Sequence, residues 1–142
     1  MVDANGNLLL DGGKSLTLQA GTYYLNNVTL TGQSTLTTNG EVIIYMTGNL
    51  DTSGGDIINT SQTPSNLQIF MTGGTALVKG DSTFYGAVYA PNTAVTIAGS
   101  GDFYGVVVGK TLEITGTGDV HFDEDLELEN QDELPPRTAL VQ

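Results

Sequence analysis

Two tyrosines and the single histidine recur at one place in a repeated phrase, and their rings are well suited to contacting a ligand. Tyr85 and Tyr104 each follow a phenylalanine and precede a glycine, and His121 precedes Phe122 at the next spacing. Aromatic side chains about 5 Å apart could stack on sugar rings or contact a protein partner. The residue types favour ordinary pairing between neighbouring strands, which stabilises by under about 1 kcal/mol per pair. A single histidine supports neither a catalytic triad nor a histidine metal cluster.

An acidic run near the C-terminus is the one place where a metal ion could bind. Seven of the 16 acidic residues lie between positions 123 and 133, and the nearest candidates for calcium are Asp123, Glu124 and Asp125. Calcium prefers several carboxylate and carbonyl oxygens, but this run has no glycine and lacks the spacing of a known calcium loop. A solvated anionic cap that discourages end-to-end stacking is the favoured interpretation. Calcium is therefore the only cofactor that the sequence leaves open.

Three further aspartates, Asp81, Asp102 and Asp119, are the remaining candidates for acid–base chemistry. Hydrolysis of polysaccharides needs paired acids in a cleft, usually with a basic or metal partner, and the four basic residues do not cluster near these three. The segments Gly99–Asp102 and Gly116–Asp119 resemble phosphate loops in composition, but neither is followed by a helix, or by lysine and Ser/Thr in the order that such a loop requires. We interpret them as corners of the chain. The sequence therefore predicts a protein that is not an enzyme.

Composition excludes several further classes of function. The 142 residues suffice for one domain with a core. The net charge is −12 with four basic residues, which cannot form the positive stripe that nucleic-acid binding requires. No apolar stretch approaches the roughly 20 residues of a membrane-spanning helix, so we expect no membrane insertion. The absence of cysteine excludes disulfides and thiolate metal sites.

Internal repeats predict the elements that position these residues. Three pairs of segments repeat at spacings of 19, 25 and 17 residues: 80–88 with 99–107, 42–48 with 67–73, and 94–102 with 111–119. A period near 20 residues, carried by glycine and β-forming residues, is typical of stacked coils in a solenoid. Differences between the spacings indicate corners of variable length. The runs between the corners are short strands of about four residues.

The repeats also predict which side chains point inward. Three inward columns follow from the alignment: Ala76, Val95 and Leu112; Val78, Ile97 and Ile114; Phe84, Phe103 and Val120. Strand alternation then directs Thr96, Glu113 and the column of Tyr85, Tyr104 and His121 outward. The same alternation places Ala87, Tyr89, Val106 and Val108 outward, as an apolar stripe on a polar rod. Such a stripe is usually covered by another segment or by a partner.

Four segments carry a resemblance to a known family. They are Ser65–Phe70, Phe84–Asn92, Gly99–Gly105 and Val120–Leu126. They resemble a bacterial β-helical domain of unknown function found near the C-terminus of PilX-like type IV pilus assembly and cell-surface proteins, over roughly residues 14 to 128. The resemblance implies an extracellular or cell-surface module of a bacterial pilus or envelope protein, without a catalytic role. A weaker resemblance, in the Phe-x-Gly-x-Val phrase, is to ice-binding β-solenoids.

The predicted fold is all-β, a single right-handed parallel β-helix of about six coils with a short acidic cap. Residues 1–122 form the coils and residues 123–142 the C-terminal capping segment of the same domain. The handedness follows the norm for solenoids and the family resemblance. The cap is either a short acidic helix beginning at Asp123 or, as we favour, a last strand or irregular segment with Leu126 and Leu128 inward.

Two functions follow as expectations. The first is a structural or adhesive module whose apolar stripe docks on the C-terminal segment or on a protein partner such as a neighbouring pilus or envelope subunit. The second is a carbohydrate- or ice-binding module that uses an exposed tyrosine and threonine face. Thr-x-Thr strands at 29–31 and 35–37 support the second, although the middle coils do not repeat them.

Overall fold

Eleven strands and one 3-10 turn make up the described part of the chain, residues 2–122 of a computed structural model. The strands are β1 (Leu8–Leu10), β2 (Ser15–Leu25), β3 (Val28–Leu30), β4 (Ser34–Met46), β5 (Leu50–Asp51), β6 (Gly55–Asn59), β7 (Leu67–Met71), β8 (Thr75–Gly80), β9 (Phe84–Gly99), β10 (Phe103–Ile114) and β11 (Val120–Phe122). The 3-10 turn, Pro64–Asn66, precedes β7. Among the described residues, no helix is long and apolar enough to span a membrane.

All pairings between these strands are parallel, and they stack the chain into a β-solenoid of about six turns. Each turn contributes to three faces. Face A contains β1, β3, β5, β8 and the C-terminal parts of β9 and β10. Face B contains the N-terminal parts of β2 and β4, then β6, the first residues of β9 and β10, and β11. Face C contains the C-terminal parts of β2 and β4, then β7 and the middle of β9 and β10. The predicted all-β solenoid is confirmed.

The predicted pairing of the three inward columns is confirmed. Phe84 pairs with Phe103 and Phe103 with Val120, at spacings of 19 and 17 residues. The rings of Phe84 and Phe103 stack with centroids 5.1 Å apart, and both side chains are buried. Because parallel strands in register place like residues above one another, the repeat becomes a continuous apolar column.

One inward prediction is wrong in part. Ile114 pairs with Ile97, as the repeat requires, but its side chain is 47% exposed. Ile97 lies between Val78 and Ile114 in the ladder, whereas Ile114 has a paired neighbour on one side within residues 2–122. A residue in the last described turn of a solenoid is therefore less covered than its equivalents in the middle.

The strands are longer than the short runs expected from the sequence, because pairing continues through corners. Strand β4 bends at Gly40, whose φ of 88° is a conformation that glycine adopts without strain. Gly105 is required because the backbones of two coils approach closely. A side chain there would overlap the carbonyl oxygen of Gly86 in the preceding coil. At Gly86, in the other copy of the Phe-Tyr-Gly phrase, a side chain would instead overlap the ring of Phe84.

An asparagine ladder fastens the corner between faces C and A. The Asn27 amide donates to Asn7 Oδ1 at 2.9 Å, and Asn27 Oδ1 accepts from the Asn49 backbone N–H at 2.7 Å. Asn49 Oδ1 in turn accepts from the Thr75 N–H at 2.8 Å. Each side chain thus satisfies a group in a neighbouring coil, which fixes the spacing of four consecutive coils.

Candidate functional site

The predicted outward column of rings on face B is present. The rings of Tyr85 and Tyr104 stack with centroids 5.2 Å apart, and those of Tyr104 and His121 with centroids 4.3 Å apart. His121 is exposed, and both tyrosines are half-buried. Because the rings stack on one another, both faces of Tyr104 are occupied, and only edges and the hydroxyl group point outward. This column is therefore better suited to stabilising the ladder than to stacking on a sugar.

A longer aromatic ladder on face C was missing from the sequence-based prediction apart from Tyr89. Tyr24 stacks on Tyr45 and Tyr45 on Phe70, with centroids 5.3 and 5.2 Å apart. Phe70 contacts Tyr89 in a tilted arrangement, with centroids 5.9 Å apart and the ring planes 54° from parallel. The signal was available, because Tyr45 and Phe70 hold the same place in the repeated segments 42–48 and 67–73. We call these four rings the face C ladder.

Exposure falls along the face C ladder from the first coil to the third. Tyr24 is 76% exposed, Tyr45 36% and Phe70 7%. A mostly apolar groove beside the exposed end is lined by rings of the ladder and by Met46, with Asn26, Thr47 and Thr72 among its polar residues. Within the described residues, Tyr24 has a stacked neighbour on one ring face and leaves the other face open. Tyr24 is thus the ring best placed to contact a planar or sugar-like ligand.

Two members of the predicted apolar stripe are buried, in line with the expectation that such a stripe is covered. Ala87, Tyr89, Val106 and Val108 lie on the outer side of face C in the predicted register, Ala87 against Val106 and Tyr89 against Val108. However, Ala87 and Val106 are buried, and Tyr89 and Val108 pack against them in a small cluster separate from the main core. Alternation predicts which side of a strand a residue occupies, but not what lies over that side.

The loop of residues 60–66 accounts for this burial. Its 3-10 turn lies against β9 and β10, and the Gln68 side-chain amide donates to the Ser65 carbonyl oxygen at 3.1 Å. Asn59 holds the start of the loop. Its amide donates to Thr63 O at 3.0 Å and Tyr85 O at 2.9 Å, while its Oδ1 accepts from the Ser61 N–H and hydroxyl. A buried asparagine with all these partners fixes the loop against the solenoid wall.

The corner aspartates bond the backbone and neighbouring hydroxyls. Asp102 accepts from the Asp119 N–H at 2.9 Å, and Asp81 accepts from the Ser100 hydroxyl at 2.8 Å. Among residues 2–122, no group of three acids, histidines or cysteines is close enough to hold a metal ion. The calcium candidates Asp123, Glu124 and Asp125 lie outside the described residues, as does the predicted acidic cap of residues 123–142.

Near the N-terminus, the backbone N–H groups of Asn7 and Asn5 lower the pKa of the Asp3 carboxyl by donating to it.

Threonines do not form a regular face along the rod. On face B, Thr17 pairs with Thr37 of the next coil, but Thr37 pairs with Ile58 of the coil after that. In the same way, Thr35 pairs with Asp56 on the strand that contains Ile58. The threonine array therefore covers two coils, whereas a lattice-matching surface requires the motif once per coil.

Comparison with known proteins places the chain in a family. A family model described as a domain of unknown function (DUF7305) matches residues 26–129, which includes most of the coils described above. Searches of curated proteins and of solved structures found no match. The resemblance to a β-helical domain of unknown function is confirmed at this level. The stacked coils thus belong to a protein of the DUF7305 family.

Proposed function

We propose that the chain is a non-catalytic structural or adhesive module of a bacterial cell-surface or pilus-associated protein. The observation that supports this proposal is the continuous stacking of side chains from coil to coil, by Phe84 and Phe103 inside and by the two aromatic ladders outside. Side chains held by neighbours above and below resist local opening. A stiff spacer between an envelope anchor and a distal partner would use this property.

The resemblance to PilX-like proteins supplies the proposed location and partner class. A module of a pilus or envelope protein would meet a neighbouring subunit along its side. The loop of residues 60–66 already covers the middle of face C, so lateral contact would use the exposed ends of the faces instead. Tyr24 and Tyr45 on face C are exposed in this way.

We predict that the full-length protein is displayed outside the cell. Antibodies raised against the chain are applied to intact bacteria that express the full-length protein, and in parallel to lysed cells with a cytoplasmic protein as the control. Labelling of intact cells without labelling of the control is the expected result. Labelling that requires lysis would contradict the proposed location.

A second candidate function, carbohydrate binding, is supported by the open ring of Tyr24 beside a groove that is mostly apolar and has Asn26 and Thr47 in its lining. Aromatic rings bind sugars through their faces, and polar groups at the rim then accept or donate hydrogen bonds. The corresponding argument for ice binding is weaker, because the threonine array on face B ends after two coils.

Substituting Tyr24 tests the second candidate against a matched tyrosine. If a glycan array identifies a ligand, Tyr24→Ala should weaken its binding about tenfold or more, since one stacking contact is lost. Tyr104→Ala is the control, because both of its ring faces are already covered. An array without a ligand, or equal effects of the two substitutions, would count against glycan binding. Absence of thermal hysteresis in the same sample would exclude ice binding.

A further inference from the structure

Strand β2 forms an open edge at the N-terminal end of faces B and C. It is 11 residues long and pairs with β4, and no second strand is paired with it within residues 2–122. The sequence Ser15–Leu25 contains no charged residue and no proline. Proteins usually protect a long edge with a charge, a proline or a covering segment, because its unpaired backbone groups attract another strand. None of these devices lies within β2 itself.

The direction of the free backbone groups follows from the bonds that β2 makes. The carbonyl oxygen of Lys14 accepts from the Thr35 N–H, and that of Leu25 accepts from the Thr47 N–H. Successive residues of a strand direct their N–H and C=O groups to opposite edges. The free groups that point away from β4 are therefore those of Ser15, Thr17, Gln19, Thr22 and Tyr24, whose side chains are all exposed.

The pattern of β2 is nearly the same in both directions. Reversal about the midpoint between Ala20 and Gly21 opposes Leu16 to Leu25, Leu18 to Tyr23, Thr17 to Tyr24 and Gln19 to Thr22. The first two pairs point inward or are at least half-buried, and the last two are exposed. Each pair also combines two residues whose backbone groups point to the same edge, toward β4 for the first two pairs and away from it for the last two. An antiparallel copy of β2 therefore matches both the side-chain pattern and the hydrogen-bonding pattern of this edge.

We propose that two copies of the chain pair antiparallel through β2 and form an end-to-end dimer. The midpoint of the pairing lies where β2 turns from face B to face C, at the register shift between Gln19 and Gly21. A two-fold axis through this corner, perpendicular to the solenoid axis, exchanges faces B and C. Face B of one copy therefore continues into face C of the other, and both cores become longer.

Charge at this end of the solenoid permits the approach of a second copy. Strand β2 carries no charged residue, so pairing through it brings no like charges of the two strands together. Near β2, the single lysine Lys14 lies 3.6 Å from Asp11, so the flanking charges are balanced. Electrostatic repulsion therefore does not oppose the pairing of a second copy with this edge.

The first test uses a proline that leaves the internal ladder intact. Thr17→Pro removes an N–H that points away from β4, so the coil should still fold. By the two-fold symmetry the dimer loses two bonds, one from each copy, and their partner groups are left unpaired. Sedimentation over a concentration series should show a dimer of the 14.9-kDa chain for the unmodified protein and for the control Thr17→Val. Thr17→Pro should raise the dissociation constant about tenfold or more. A monomer at every concentration, or a folded proline variant that dimerises equally well, would overturn the proposal.

The second test determines the register. Because the chain has no cysteine, single cysteines introduced as Thr17→Cys and Tyr24→Cys report only on the interface. Mixing the two variants under oxidation should give a disulfide-linked pair, because position 17 of one copy opposes position 24 of the other. Each variant alone should give much less product. Crosslinking between two copies of Thr17→Cys, at the level of the mixture, would contradict the antiparallel pairing, and this result decides the question even if Thr17→Pro does not fold.

Discussion

Replacing Phe103 by alanine is expected to lower the free energy of unfolding by about 3–5 kcal/mol. The side chain is 1% exposed and its ring stacks on Phe84 at 5.1 Å, between the coils above and below. Truncation removes the contacts of a full ring and leaves a cavity, because the backbones of neighbouring coils are held apart by their ladder bonds and cannot collapse into it. Equilibrium denaturation with urea, monitored by circular dichroism, measures the change.

The control for this prediction is the next residue in the same strand. Tyr104→Ala removes a ring of similar size from the outer side of β10, where its stacking on Tyr85 and His121 is worth about 1 kcal/mol or less per pair. The expected order is a large loss for position 103 and a small loss for position 104. An unfolding midpoint that does not change on Phe103→Ala would show that this ring is not inside the solenoid.

Val106→Glu is expected to lower the free energy of unfolding by about 3–5 kcal/mol at neutral pH, because it places an uncompensated charge under the loop of residues 60–66. Val106 is 4% exposed and packs with Ala87 in the small cluster outside the main core. Burial raises the pKa of the new carboxyl in the folded state above its unfolded value near 4.3. The loss should therefore be greatest at neutral pH and should diminish as the pH falls toward 4, since both states are then protonated.

Two further measurements separate this effect from a general response to charge. Thr111→Glu adds the same group at an exposed position of the same strand and should change stability by less than about 0.5 kcal/mol. Limited proteolysis should cut the Val106→Glu variant within residues 60–66 sooner than the unmodified protein, because the loop must move to admit water to the carboxylate. Equal stability losses for the two variants, or an unaltered cleavage rate in the loop, would contradict the covered position of Val106.

The repeats predicted the register of this solenoid because each coil reuses the environment of the one before. Phe84 and Phe103 share their neighbours, so one alignment places both side chains and the rungs between them. The column of Tyr85, Tyr104 and His121 was predicted for the same reason. Tyr45 and Phe70 of the face C ladder also occupy one position in a repeat, that of segments 42–48 and 67–73. Alternation applied to that repeat would have predicted this pair as well.

Features that occur once could not be predicted in this way. The loop of residues 60–66 has no counterpart in other coils, and its position depends on Asn59, whose hydrogen bonds reach forward to Thr63 and across to Tyr85. Neither partner follows from spacing, because a turn-rich segment can fold toward either side of a strand. For that reason the stripe at Ala87 and Val106 was placed on the correct side of the wall, but its covering segment was not identified.

A set of through-space NMR contacts tests the central claim, stacked parallel coils in register, most directly. Methyl and aromatic labelling should give contacts from Phe84 to Phe103, from Val88 to Val107 and from Ile97 to Ile114, so that both residue numbers increase together along the strands. An antiparallel sandwich would give contacts in which one number rises as the other falls. The parallel set is the result that we predict, and the reversed set would contradict the fold and every proposal built on it.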